Sequence, residues 1–511
     1  MARKIRTSWA VVVALACLMA PAGCGGSGDK PSGTFIVART GDVDLMDPHK
    51  ATAFQTFQAL ELIYDTLVEI DPEGEIQPGL AERWAYADGD RRLTFTLREG
   101  VTFHDGGPLT SADVKASLER VQDEKSAAVG RSNIATIESI STPDDRTVVL
   151  RLSRPDASLL YTLASVNQAI LAKADAGRPE LDDSPNGTGP FKFVTRRPGS
   201  SFIVAANPEY WGGAPKLQRV EIRVIADEAS VLASLRAGSA QMGVLTDPSV
   251  VRQVGKGGNL KVERTEALAY HTLMLNGRRG PLRDEAVRQA IACAIDGQEN
   301  VDTAAFGEGV PTGPITSPAF RSEPGAGLPC DPPDVDAAKA LIARAGGGNL
   351  KLNTIVMTGG YSTAVNEAQN LQAQLRKIGV QLDLEQLETN AYVKRWLDAD
   401  YDAAVALNGG SFDPYLMYAR YFTEDGSLAK PAGLASPKLD ELLQRGGRET
   451  DEEARKAIFD ELSRELQRTA PWAWTFQGYE YRVLSEDVHG FRLPPDGSMK
   501  GLRDTTLEAG S

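Results

Sequence analysis

The stretch that decides the fold is Leu93–Val114, LTFTLREGVTFHDGGPLTSADV. Leu93, Phe95 and Leu97 alternate with Thr94, Thr96 and Arg98, the period-two pattern of a strand with one buried face. Asp105-Gly106-Gly107-Pro108 then interrupts the run. Thr110-Ser111-Ala112-Asp113 has the spacing of a capping box, with Asp in the usual Glu position, and predicts a helix to about Val121. Phe95, Leu97, Val101 and Phe103 are spaced to form the core of a hairpin, with His104 in its turn.

Outward from this stretch, helices and strands alternate. On the N-terminal side, 34–38 (TFIVA) reads as a first strand and Asp44–Pro48 as a turn. Phe54–Leu67 reads as a helix, because Phe54, Phe57, Leu60, Tyr64 and Leu67 recur at near-helical spacing. On the C-terminal side, 147–152, 220–225 and 380–384 read as strands, and 228–237 and 452–467 as helices. Three further helical faces are carried by Val287/Ile291/Ala294, Val335/Ala338/Leu341 and Leu371/Leu375/Ile378. Asn186–Phe191 is a glycine-rich turn entering a strand. The class is α/β or α+β.

The 511 residues exceed the roughly 250–300 that one core serves, so two or more lobes are expected. Hydrophobic residues at 42% and charged residues at 24% exclude collagen, coiled coil and wholesale disorder. A net charge of −14 argues against nucleic acid as a partner and against adsorption to anionic lipid. The one strongly apolar run, Trp9–Ala20, is too short to span a bilayer comfortably, which excludes a polytopic channel or transporter.

That run follows Arg3, Lys4 and Arg6 and has the size of a signal-peptide core. Pro21-Ala22-Gly23-Cys24 puts small residues directly before a cysteine, similar to a bacterial lipoprotein processing site, although Pro21 stands where an aliphatic residue is usual. Residues 1–23 are therefore expected to be a signal peptide, Cys24 a lipidation site and 24–33 a flexible linker; the alternative is an ordinary secretory signal with an incidental cysteine. Cleavage before Cys24 leaves 488 residues and a net charge of −17, since three basic and no acidic residues depart. Cys293 and Cys330 remain. An oxidising compartment favours a disulfide between them; two buried thiols are the alternative.

Motifs for catalysis are missing. His49, His104, His271 and His489 are too scattered for a local metal motif, and the chain has no P-loop and no GxSxG elbow. No enzymatic activity, cofactor or metal is expected.

Several segments, in order, resemble the family 5 extracellular solute-binding proteins of ABC importers. Tyr64-Asp65-Thr66-Leu67-Val68 with Pro78–Trp84 is one, and Leu93–Val114 is the most diagnostic. Gly187-Thr188-Gly189-Pro190-Phe191, Asn207-Pro208-Glu209-Tyr210-Trp211 and Val287–Asp296 follow. Ala337–Gly346, Leu375–Val380 and Tyr401-Asp402 complete the set, which covers about 35–490. The resemblance implies an α/β, two-lobed periplasmic-binding-protein-like clamshell (type II, cluster C). It implies lobe one at 34–268 plus 482–511, with an extra subdomain at 46–165, and lobe two at 269–481. The crossing strands would lie near Glu266–Asn276 and Phe476–Leu484. It also implies a monomer that closes on a solute, a peptide or peptide-like compound foremost, and docks on a membrane permease served by separate ATPase subunits.

In peptide-binding relatives an Asp in lobe two grips the free α-amine. The corresponding stretch here is Asn408-Gly409-Gly410-Ser411-Phe412-Asp413-Pro414, and the amine-gripping position is Gly410. A buried ammonium needs a paired charge. Either Asp413 substitutes, or the ligand is a blocked peptide, an opine-like compound or an oligosaccharide. Trp396, Tyr415, Trp472 and Trp474 are the aromatic candidates for a sugar. Phe54 and Gln55 from lobe one, and Tyr270 and His271 at the crossing, are further expected ligand contacts. A ligand-free regulatory lipoprotein of the same fold is the remaining alternative.

Overall fold

The computed structural model describes residues 33–508, apart from 179–180, 182–183, 256–257 and 360. The apolar run, Cys17, Cys24 and the glycine spacer lie outside the described residues.

One mixed sheet organises the molecule. Its strands run in the order Val380–Leu387, Leu350–Met357, Ala403–Asn408, Leu260–Leu275, Trp472–Ser485, Met242–Leu245, Thr34–Arg39, Arg219–Val224, Ser201–Ala206, Phe191–Arg197. Leu350–Met357 is parallel to both its neighbours, as is Thr34–Arg39. Parallel pairs need long crossovers, which the helices supply. At the centre two long strands, Leu260–Leu275 and Trp472–Ser485, run antiparallel. Their register runs from Leu260 opposite Ser485 to Glu266 opposite Tyr479. It then breaks and resumes at Tyr270 opposite Gln477. Beyond the break the first long strand gains Ala403–Asn408 as its other neighbour. The two long strands thus belong to both halves of a two-lobed clamshell.

Each half has its own core. In the first, Phe35, Val37, Phe191, Phe202, Val220 and Met242 are buried together. In the second, Leu273, Ile291, Leu341, Leu371, Val380 and Val405 are. An aromatic core of Tyr270, Tyr418, Phe422, Phe459 and Trp472 adjoins the latter.

The opening stretch lies in a separate four-stranded sheet attached to the first lobe, in the order Ala81–Ala87, Arg92–Leu97, Thr147–Leu152, Ile137–Asp144. Leu93, Phe95, Leu97, Val101 and Phe103 share its core. They do not form a hairpin: Arg92–Leu97 pairs with Ala81–Ala87 and Thr147–Leu152, and the 101–108 segment closes only a Thr102–Pro108 bridge. The helix Ser111–Gln122 begins with the expected box, the Thr110 N–H donating to Asp113 Oδ2 at 2.8 Å.

The helix expected at 54–67 ends at Leu60. The carbonyls that would continue it are taken by the glycine-rich turn: Gly189 N–H donates to Ile63 O at 2.8 Å and Phe191 N–H to Leu62 O at 2.9 Å. A Cβ on Gly187 would lie 2.0 Å from Ile63 O, so only glycine permits this approach. Ile63, Tyr64 and Leu67 are buried by this packing without being helical.

Cys293 and Cys330 form a disulfide with a Cα–Cα distance of 5.7 Å. It ties the helix Glu285–Ala294 to the loop leading into Val335–Arg344. No helix among the described residues is long and apolar enough to cross a membrane.

Candidate ligand cleft between the lobes

A cavity of about 1170 Å³ lies between the lobes. The first lobe contributes Phe54, Gln58 and Glu61 from the first helix and its end, Arg154 and Tyr161 from the small-sheet unit, Asn167 just after it, and Asp496, Lys500 and Arg503 from the C-terminal segment. The second lobe contributes Gly410, Phe412, Tyr415, Ala419 and Arg420, and Leu268 of the crossing strand Leu260–Leu275 lies between the two walls. The volume exceeds the roughly 300–1,000 Å³ usual for small-ligand pockets, room for several linked chemical units.

The first-lobe wall is strongly ionic. Burial pushes the Glu61 carboxyl up to about 7, with Lys500 opposing and Asp496 reinforcing the shift. The Met499 N–H donates to Glu61. At Glu69 burial acts in the same direction, but Lys500 and Arg503 outweigh it and hold the carboxyl below its ordinary range. Arg503 Nη1 lies 3.0 Å from Glu69 Oε2. Burial and the Glu69 charge push Asp65 up to about 6, although Trp211, Thr188 and Tyr210 donate to it. Behind this wall Arg482 is buried, donates to Tyr481 O and Gly497 O, and has its pKa lowered by that burial.

Among the described residues, the second-lobe wall carries no such acid. A Cβ on Gly410 would lie 1.9 Å from Leu268 O, so the backbone itself fills the space an acidic side chain would need. Asp413 is wholly buried and doubly committed. It caps the helix Pro414–Phe422 by accepting from Leu416 N–H at 3.0 Å, and it pairs with the Arg455 guanidinium. Asn408 donates to Thr272 Oγ1 at 3.2 Å, and Gly409 is exposed.

Of the residues singled out in the sequence, the structure brings Phe54, Gly410, Phe412 and Tyr415 to the cavity. Phe54 is 69% exposed and meets Phe57 edge to face at 6.1 Å. Gln55 turns away, its side chain filling the space above Gly41. Tyr270 is buried in the aromatic core beside Tyr418. His271 stacks on Phe476 at 4.1 Å, with Nδ1 2.9 Å from Glu367. Trp396 donates to Met274 Sδ at 3.2 Å, and Trp472 is fully buried. Trp474 donates to Tyr418 Oη at 3.0 Å and lines a smaller pocket of about 180 Å³ beside the disulfide. His104 sits in its turn, Nε2 3.0 Å from Gly189 O, and burial lowers its pKa to about 4. Arg154, Lys500 and Arg420, which also line the cavity, carry no local sequence signal, because three distant segments converge only in the fold.

The family model for bacterial extracellular solute-binding proteins, family 5 (Middle), matches residues 75–428. The chain belongs to this family. Its members are solute-binding proteins, not enzymes. A similar curated relative of this solute-binding protein is the probable di/tripeptide-binding protein 5 of Pseudomonas aeruginosa, 28% identical over 474 residues, covering 86% of this chain and 89% of the relative. The HbpA2 structure from Haemophilus parasuis superposes with a TM-score of 0.84 at 26% identity, over 93% of this chain and 100% of the other. The AgaA protein of A. tumefaciens R10, solved with agropinic acid, gives 0.74 at 27% identity, over 94% and 99%.

Proposed function

We propose that this solute-binding protein is the extracytoplasmic, lipid-anchored capture subunit of an ABC importer, taking up a peptide or peptide-like solute between its lobes. The observation that carries this reading is the large cavity walled by both lobes, which two long paired strands join. Such a pair of strands bends at a break in register, here between Glu266 and Tyr270. Polar contacts join the two lobes across the opening: Ala157 N–H donates to Gly447 O at 2.9 Å and Thr450 Oγ1 to Asp90 Oδ2 at 2.7 Å. A ligand that touches both walls binds the closed state better than the open one, and that difference drives closure.

The lobes divide as 34–268 with 482–511, and 269–481, with 46–165 as the added unit. The closed monomer docks on a permease whose partner subunits hydrolyse ATP. Cys24 carries the lipid that keeps the protein at the outer face of the cytoplasmic membrane and raises its effective concentration there. Replacing Cys24 by Ser should move the protein from the membrane to the soluble fraction on cell fractionation.

A second reading is favoured by one observation. With Gly410 closed to any side chain and Asp413 bound to Arg455, the second-lobe residues described at the cavity include no acid for a free α-amine. An opine-like or amine-blocked solute fits that wall better than an unmodified peptide. An oligosaccharide is the less favoured neutral option. Purifying the exported protein, denaturing it and identifying the released molecule by mass spectrometry distinguishes these. A stoichiometric unmodified peptide contradicts the second reading. Protein that never carries or takes up a solute contradicts capture and leaves a regulatory lipoprotein.

A further inference from the structure

Six cationic side chains line the cavity: Arg98, Arg154, Arg420, Arg492, Lys500 and Arg503. Most are occupied. Arg503 pairs with Glu69 and Arg492 with Glu73, Arg98 donates to Gly79 O at 2.6 Å, and Lys500 acts on Glu61 and Glu69. Arg154 differs. Its Nη1 is shielded from solvent and has no hydrogen-bond partner, and its Nη2 stands 3.5 Å from Tyr415 Oη, the outer limit of a hydrogen bond. The acid nearest it in sequence, Asp156, is consumed by Ser158 Oγ and Thr136 Oγ1, each donating at 2.7 Å. Arg420, on the same helix as Tyr415, lies over the Tyr421 ring at 4.7 Å. Among the described residues no carboxylate pairs with Arg154 or Arg420.

We propose that Arg154 and Tyr415, reaching from opposite lobes, form a clamp for a carboxylate on the ligand, with Arg420 a further cation on the same cavity wall. The Nη2 group of the guanidinium can donate a charge-assisted hydrogen bond to a carboxylate oxygen, and the Tyr415 phenol adds a second donor. An oxyanion bonded to both binds the closed protein only, so the clamp couples recognition to closure. The ligand class is therefore an organic acid, an N-blocked or opine-like peptide derivative, anchored by its acid group and not by an amine. This deepens the solute-capture reading and rests on it.

The test uses N-acetyl-alanyl-alanine and its C-terminal amide as probes, with binding to the exported protein read by native mass spectrometry. The free acid should bind roughly ten- to hundredfold more tightly than the amide, the range of a charge-assisted hydrogen bond. Arg154→Gln and Tyr415→Phe should each narrow that ratio, with folding checked by circular dichroism and the thermal midpoint. Equal affinity for acid and amide overturns the clamp and leaves solute capture standing. So does an unchanged ratio in both variants. If neither probe binds, the assigned ligand class is wrong, and the molecule released from the wild-type protein then decides separately whether capture holds.

Discussion

Gly410 shows how one residue fixes part of the cavity wall. No side chain fits there, because Leu268 O occupies the position a Cβ would take. Gly410→Asp should therefore lower the thermal midpoint, by about 1–3 kcal/mol of stability or more as overpacking does, and create no affinity for free amines. Calorimetry with a free dipeptide checks both; an unchanged midpoint with new amine-dependent binding would sink the steric argument. Glu61 makes a second residue-scale prediction. Its folded pKa, about 7, lies above the ordinary 4.5, so the folded state holds this proton more tightly than the unfolded chain does. The stability it brings is full below pH 4.5 and is lost as pH rises towards 7. Glu61→Gln should remove a pH-dependent loss on the order of 3 kcal/mol, seen as a smaller drop in denaturant midpoint than the wild type shows between pH 4.5 and 7. An identical drop in both proteins would contradict the burial argument.

At the scale of elements, the disulfide links a core helix of the second lobe to the loop that leads into the next. Its 37-residue separation gives a chain-entropy stabilisation of about 3–4 kcal/mol. Replacing both cysteines by serine should speed hydrogen exchange in Glu285–Ala294 while leaving Thr34–Arg39 unaffected. Equal change in both elements would mean that the lobes unfold as one unit. Much at this scale was legible in the sequence. Alternation placed Arg92–Leu97 and Thr147–Leu152, and the capping box placed Ser111–Gln122. Legibility failed where tertiary packing overrode local pattern. Tyr64 and Leu67 have helical spacing, but the glycine turn claims the carbonyls before them. The cavity was legible only in part. Phe54, Gly410 and Phe412 lie in recognisable local contexts. Arg154, Lys500 and Arg420 carry charges that look like ordinary surface until three segments meet. Tyr270 and His271 stand on the crossing strand yet face packed cores, a choice between faces that alternation alone does not make.

For the whole molecule, two lobes with independent cores share two strands and enclose a cavity too large to be a packing defect. The central claim is that this cavity holds the solute. Ala419 lines it on the helix Pro414–Phe422 and is not a member of the lobes' cores, and a tryptophan there would occupy ligand space. Native mass spectrometry of the exported protein and of its Ala419→Trp variant tests the claim most directly. The wild type should carry one small molecule per chain, lost on denaturation, and the folded variant should carry none. A variant that keeps its full complement of solute, or a wild type that stays bare after incubation with a complex peptide digest, would contradict it.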